Sequence, residues 1–104
     1  MRKFKIAVCQ MTVEEGKTEN LKRAEAMLRK AVEDFNPEIL VLPEMFNCPY
    51  SNDYFPSYAE EYPGESTIIL SRLAKELKVY IVGGSIPERE KDKIYNTSFV
   101  FDPE

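Results

Sequence analysis

Ile39-Leu40-Val41-Leu42-Pro43-Glu44-Met45-Phe46 decides the fold of this chain. A short apolar run with β-branched members predicts a strand buried on both faces. Pro43 closes the run, and Glu44 follows it directly. In open parallel sheets, ligands gather outside the carboxyl ends of strands, so Glu44 stands where chemistry is usually placed. By position alone it fits a solvated loop carboxylate just as well. The aromatic-rich loop behind it, suited to walling off a pocket, makes Glu44 the candidate functional residue.

Toward the N-terminus, residues 4–10 predict a first strand. Ile6-Ala7-Val8-Cys9 is apolar without alternation, as in a central strand covered on at least one face by helices. Glu14-Glu15-Gly16 breaks the pattern, and from about residue 18 to 35 the period changes. Leu21, Ala24, Leu28, Ala31, Val32 and Phe35 recur at three- and four-residue spacings, with Lys22, Arg23, Glu25, Arg29, Lys30 and Glu33 on the other side. This is an amphipathic helix, capped by Thr18 or a neighbour. Asn36-Pro37 stops it, because proline disfavours helical geometry in the residue before it. The strand at 39–42 then completes a βαβ unit with parallel strands and a right-handed crossover.

Toward the C-terminus, residues 46–63 hold Phe46, Tyr50, Tyr54, Phe55, Tyr58 and Tyr62, interleaved with Pro49, Pro56 and Pro63. Aromatic density argues against disorder. Two compatible arrangements follow: a loop packed on itself, with a short helix near 56–61, or a pocket wall beside Glu44. A second helix is expected over 66–78, with Ile69, Leu70, Leu73, Ala74 and Leu77 on its apolar side. Val79-Tyr80-Ile81-Val82 reads as a third buried strand. Residues 81–88 and 94–101, joined by the charged turn Arg89-Glu90-Lys91-Asp92-Lys93, are expected to pair antiparallel.

Composition bounds the function. A chain of 104 residues with 43% apolar content is the size of one domain with its own core. Its net charge is −4, and no cluster of Lys or Arg stands free of acidic neighbours, so neither nucleic acid nor an anionic membrane is an expected partner. No apolar run is long enough to span a bilayer or to serve as a signal peptide. Two cysteines without a secretory signal point to reduced thiols, no disulfide and a cytoplasmic setting. Histidine is absent, which excludes Ser-His-Asp and Cys-His catalysis within this chain and most catalytic zinc sites. Acid–base chemistry here falls to carboxylate, lysine, tyrosine or cysteine.

Other residues that invite a functional reading have plainer ones. Gly83-Gly84 lacks a Walker pattern and a following helix, so close backbone approach at a strand end explains the pair better than phosphate binding. Cys9 lies in a strand as a small core residue. Cys48 lies near Glu44, but without histidine it would need another base. Asn96 is a polar strand residue expected to bond backbone groups of a neighbouring loop, or otherwise to lie near the site.

Ile6-Ala7-Val8-Cys9-Gln10, the helix carrying Asn20, Leu42-Pro43-Glu44-Met45-Phe46, Gly83-Gly84-Ser85 and Tyr95-Asn96-Thr97 follow one another in an order that resembles the N-terminal part of the carbon–nitrogen hydrolase (nitrilase) superfamily. Phe46-Asn47-Cys48-Pro49-Tyr50, Tyr54-Phe55-Pro56, Tyr58-Ala59-Glu60, Pro63-Gly64-Glu65-Ser66-Thr67 and Gly84-Ser85-Ile86-Pro87-Glu88 resemble the omega-amidase branch. That branch hydrolyses the terminal amide of small dicarboxylic monoamides such as 2-oxoglutaramate.

The resemblance implies an α/β fold, with residues 1–104 as the N-terminal portion of an α-β-β-α sandwich in the order β-α-β-loop-α-β-β. It implies a Glu–Lys–Cys catalytic set, no cofactor or metal, a small-molecule amide substrate and a homo-oligomeric complete protein. Only the Glu of that set falls on a residue of this sequence, Glu44. The matching lysine is expected beyond Phe99-Val100-Phe101-Asp102-Pro103-Glu104 and the nucleophilic cysteine further on; neither Cys9 nor Cys48 matches it. The chain is thus expected to be an incomplete sandwich with one sheet face and a strand edge uncovered, inactive by itself. The alternative is a non-catalytic α/β module that binds a partner through that uncovered sheet.

Overall fold

The computed structural model describes residues 2–104. The elements run β1 (Ile6–Val8), α1 (Lys17–Phe35), β2 (Ile39–Val41), α2 (Phe55–Tyr58), α3 (Glu65–Leu77), β3 (Tyr80–Val82), β4 (Ile86–Glu90), β5 (Lys93–Thr97) and β6 (Val100–Phe101). This is the mixed α/β class expected from the sequence, with two more strands than the expected order β-α-β-loop-α-β-β. β1, β2 and β3 pair in parallel, in register Ile6–Ile39–Tyr80, Ala7–Leu40–Ile81 and Val8–Val41–Val82. β6 joins β3 antiparallel, giving the order β1-β2-β3-β6.

Period-2 geometry sends alternate residues to opposite faces of this sheet. Leu40 and Ile81 are fully buried and, with Ala7 and Phe101 beside them, meet the apolar sides of α1 and α3. From α1 come Leu21, Ala24, Leu28 and Ala31; from α3 come Leu70, Leu73 and Ala74. Each buried leucine of this set contributes about 2 kcal/mol by removal from water. The other face carries Ile6, Val8, Tyr80 and Val100, exposed by 55%, 72%, 50% and 66%. The expectations that the strand at 39–42 is buried on both faces and that 6–9 is a central strand are therefore corrected, while the exposed face agrees with the uncovered sheet face also expected. β1 is an edge strand, and one apolar face of the sheet is largely exposed.

Two further details differ from the sequence reading. α1 begins after Gly16, with no side-chain cap, rather than at a Thr18 cap. It ends at Asn36, in the left-handed region, whose N–H donates to the Val32 carbonyl as the last turn closes before Pro37. The expected antiparallel pair at 81–88 and 94–101 is divided between two sheets. β4 and β5 form their own hairpin, Ile86 opposite Thr97 through Glu90 opposite Lys93, while β3 and β6 close the main sheet. The division falls at Gly83-Gly84-Ser85 on one arm and at Ser98-Phe99 on the other.

Gly84 is the hinge of that division. Its φ is +59°, and a Cβ built there would lie 1.9 Å from the Pro43 carbonyl oxygen and 2.7 Å from the Pro43 carbonyl carbon. No side chain fits between these backbones. Gly84→Ala is expected to destabilise the chain by about 3 kcal/mol through combined overpacking and backbone strain. Urea unfolding checks this; an unchanged midpoint would show that the approach is not needed.

Candidate active site

Glu44 sits in a tight turn that its neighbours force. Leu42 N–H donates to the Val82 carbonyl (3.0 Å), keeping β2 paired up to Pro43. Beyond the proline the chain leaves the sheet through Met45, whose φ is +51°. The amides of the turn cannot bond to a strand, so they need other acceptors. Ser85 provides both: Met45 N–H donates to Ser85 Oγ (3.0 Å) and Phe46 N–H to the Ser85 carbonyl (3.3 Å). Met45, Phe46, Asn47 and Cys48 are buried, while Glu44 alone of the turn remains exposed.

The glutamate looks into an open cleft of about 350 Å³ lined by Glu44, Gly84, Ser85, Asn96 and Ser98. Asn96 Nδ2 donates to Glu44 Oε2 at 2.8 Å. Asn96 thus reaches the site itself rather than the backbone of a loop. The cleft brings one ionisable side chain together with an amide and two hydroxyls. Neither a lysine nor a cysteine lines it. Among the described residues, no three His, Cys, Asp or Glu side chains come together so as to hold a metal ion. No helix among them is long and apolar enough to cross a membrane.

The aromatic loop does not wall this cleft. Phe46 is fully buried in the core. Tyr50 meets Phe55 edge-on at 5.6 Å between centroids, and Tyr54 meets Tyr58 at 6.1 Å. Tyr58 Oη accepts from Gly16 N–H (2.7 Å), and Tyr54 Oη donates to Glu15. The self-packed arrangement is the one observed, with the loop strapped onto the start of α1.

A buried cluster anchors the far side of the loop, and sequence reading missed it. Glu60, 7% exposed, accepts from Ser66 N–H at Oε1 (2.8 Å) and from Ser66 Oγ–H at Oε2 (2.6 Å). Asn47 Nδ2 donates to Glu60 Oε2 (3.2 Å) and to Ser66 Oγ (2.8 Å), while Lys17 Nζ stands 3.4 Å from Oε2. The carboxylate therefore caps the N-terminus of α3, where a negative charge suits the helix dipole. Its backbone also bridges to β4: Glu60 N–H donates to the Pro87 carbonyl and Arg89 N–H to the Glu60 carbonyl. Asn20 Nδ2, fully buried on α1, donates to the carbonyl of Asn47 (3.2 Å). The one available signal was an acidic residue shortly before the Pro63-Gly64 break that opens a helix.

Both cysteines are free and buried, and neither lines the cleft. Burial pushes the Cys48 thiol up to about 11, and the positive charge of Lys17 offsets only part of this. Its Sγ–H donates to the Pro49 carbonyl (3.3 Å). Burial raises the Cys9 thiol as well.

The Carbon-nitrogen hydrolase family model matches residues 5–104. Omega-amidase NIT2-A of Xenopus laevis is 48% identical over all 104 residues, and omega-amidase NIT2 of Homo sapiens 46%. The chain spans 37% of the length of each of these curated relatives. Among solved structures, Saccharomyces cerevisiae Nit3, of branch 10 of the nitrilase superfamily, superposes with a TM-score of 0.90 at 41% identity, covering 96% of this chain and 40% of that one. The CN-hydrolase superfamily protein XC1258 of Xanthomonas campestris shares the fold, with a TM-score of 0.85 at 23% identity over 99% of this chain and 38% of its own.

Two outcomes follow from the buried groups. With its thiol at about 11 against an ordinary 9.0, Cys48 holds about 100-fold less thiolate at pH 8 in the folded chain than in the unfolded one. Because folding disfavours the charged form, its alkylation by iodoacetamide stays slow through pH 8 and rises only toward pH 11; a folded rate within about 3-fold of the urea-unfolded rate would contradict this. Glu60→Ala takes from Lys17 its ion-pair partner and from the Ser66 amide its acceptor, and is expected to cost about 3 kcal/mol in urea unfolding. Arg2→Ala, which removes the exposed pair with Glu38, costs less than about 1 kcal/mol. Equal effects would show that the Glu60 cluster is not an anchor.

Proposed function

The chain belongs to the carbon–nitrogen hydrolase family, and on that premise we propose that it is the N-terminal portion of an omega-amidase-like enzyme. The substrate is the terminal amide of a small dicarboxylic monoamide. Glu44 acts as general base in Glu–Lys–Cys thioester chemistry, whose lysine and cysteine come from strands following Glu104. The observation that carries this reading is the exposed Glu44 carboxylate, fixed at the carboxyl end of β2 in a cleft that it shares with Asn96. Identity of 46–48% to omega-amidases across the whole chain supports the choice of branch.

In the proposed mechanism Glu44 removes the proton from the cysteine thiol, and the thiolate sulfur attacks the amide carbon. The lysine stabilises the oxyanion while Glu44 passes the proton to the leaving nitrogen, which departs as ammonia. Water, activated by the same carboxylate, then hydrolyses the thioester to the free acid and restores the thiol. No histidine is needed, since a carboxylate activates a thiol in a site where a cation stabilises the developing charge. The free, buried state of both cysteines here suits a reducing, cytoplasmic setting.

The test is ammonia release from 2-oxoglutaramate. The polypeptide extended past Glu104 with the lysine and cysteine strands turns it over, and the 104-residue chain does not. Glu44→Gln lowers kcat/KM about 10³-fold, the scale of a lost general base. Cys48→Ala leaves it within about 3-fold, as expected for a residue outside the cleft. Turnover by the 104-residue chain, or loss of activity in Cys48→Ala at unchanged stability, would overturn the reading.

A further inference from the structure

The geometry points to Asn96 as a positioning residue for Glu44, one that fixes which carboxylate oxygen is available to the reacting proton. This rests on the reading of Glu44 as general base and goes beyond it. Asn96 Nδ2 donates to Oε2 at 2.8 Å across 52 residues of sequence, and Oε1 accepts no hydrogen bond from any described residue. One oxygen is tied while the other is left open to the cleft. A glutamate on an exposed turn otherwise samples many rotamers, and a base must be held in line with the proton it takes. The donor is a neutral amide, which orients the carboxylate through a hydrogen bond alone.

The platform under Asn96 is tied to the buried cluster. Asn96 pairs with Pro87 across the β4–β5 hairpin, and the Pro87 carbonyl is held by Glu60 N–H at the buried cluster. At the hairpin's root, Ser85 grips the turn on either side of the Met45–Phe46 peptide. Glu44 is thus reached from two directions by one hairpin, its backbone fixed through Ser85 and its carboxylate through Asn96. The next residue, Thr97, points the other way and donates to Glu88 (2.8 Å), so a change there leaves the cleft untouched.

Two measurements test the role. In the 104-residue chain with 15N-labelled asparagine, the Asn96 side-chain amide shows a bonded, downfield proton that is lost in Glu44→Ala, while the signals of Asn36 and Asn52 stay in place. An Asn96 amide indifferent to Glu44→Ala overturns the proposal. In the extended polypeptide acting on 2-oxoglutaramate, Asn96→Ala lowers kcat about 10- to 100-fold with KM within about 2-fold, the scale of a misoriented catalytic group. Asn96→Asp, which keeps the shape but removes the donor and adds a like charge, loses more than Asn96→Ala; a packing role would instead make Asp the milder change. Thr97→Ala stays near the wild-type rate. An active wild type with both Asn96 variants at full kcat overturns the positioning role alone, whereas an inactive wild type overturns the amidase reading and the positioning role with it.

Discussion

The contact between Gly84 and Pro43, two backbones with no room for a Cβ between them, holds the site together. It brings the loop after β3 against the end of β2, so that Ser85 can take the two amide protons of the turn at Met45 and Phe46. With those amides satisfied, Phe46 drops into the core and Glu44 is left facing outward. The position of the acid follows from a missing side chain forty residues away. A glycine at 84 is required both by the close approach and by its left-handed φ.

A second constraint works from below. Glu60 is a buried charge, and burying a carboxylate is expensive unless it is paired and hydrogen-bonded. Its oxygens and backbone groups find partners on α1 (Lys17), the loop (Asn47), α3 (Ser66) and β4 (Pro87 and Arg89). Four segments that a hydrophobic core would let slide are thereby tied to one point. The aromatic loop, strapped to the start of α1 by Tyr54 and Tyr58, serves this anchor rather than the cleft.

Much of this could be read in the chain, and the limits are physical. The two long helices declare themselves because their period is local, and Glu44 stood out because Leu-Pro-Glu places an acid at a strand end. The family pattern pointed to an uncovered sheet face, but the strands alone do not say which residues lie on it. Ile6, Val8 and Tyr80 look like core residues whether or not anything packs on them, and half or more of each is exposed. The alternation over 94–101 reads as one strand, and only tertiary pairing shows that β5 and β6 belong to different sheets. Glu60 was illegible, and Asn96 only half legible, for a related reason. Their partners lie far off in sequence or in separate elements, and an asparagine or glutamate carries no periodic signal of what it will meet. Resemblance to a family located the acid; the structure located what holds it.

On the proposed reading, Glu44 is a base for a thiol supplied from elsewhere in the polypeptide, a role that neither Cys48 nor Cys9 fills. This is tested most directly by acid-quenching the extended polypeptide within milliseconds of mixing with 2-oxoglutaramate and weighing the acyl-enzyme by mass spectrometry. A thioester is expected on a cysteine beyond Glu104 in the wild type and in Cys48→Ala, and none on that timescale in Glu44→Gln. An acyl group on Cys48, or a thioester that forms as fast without the Glu44 carboxylate as with it, would contradict that role for Glu44.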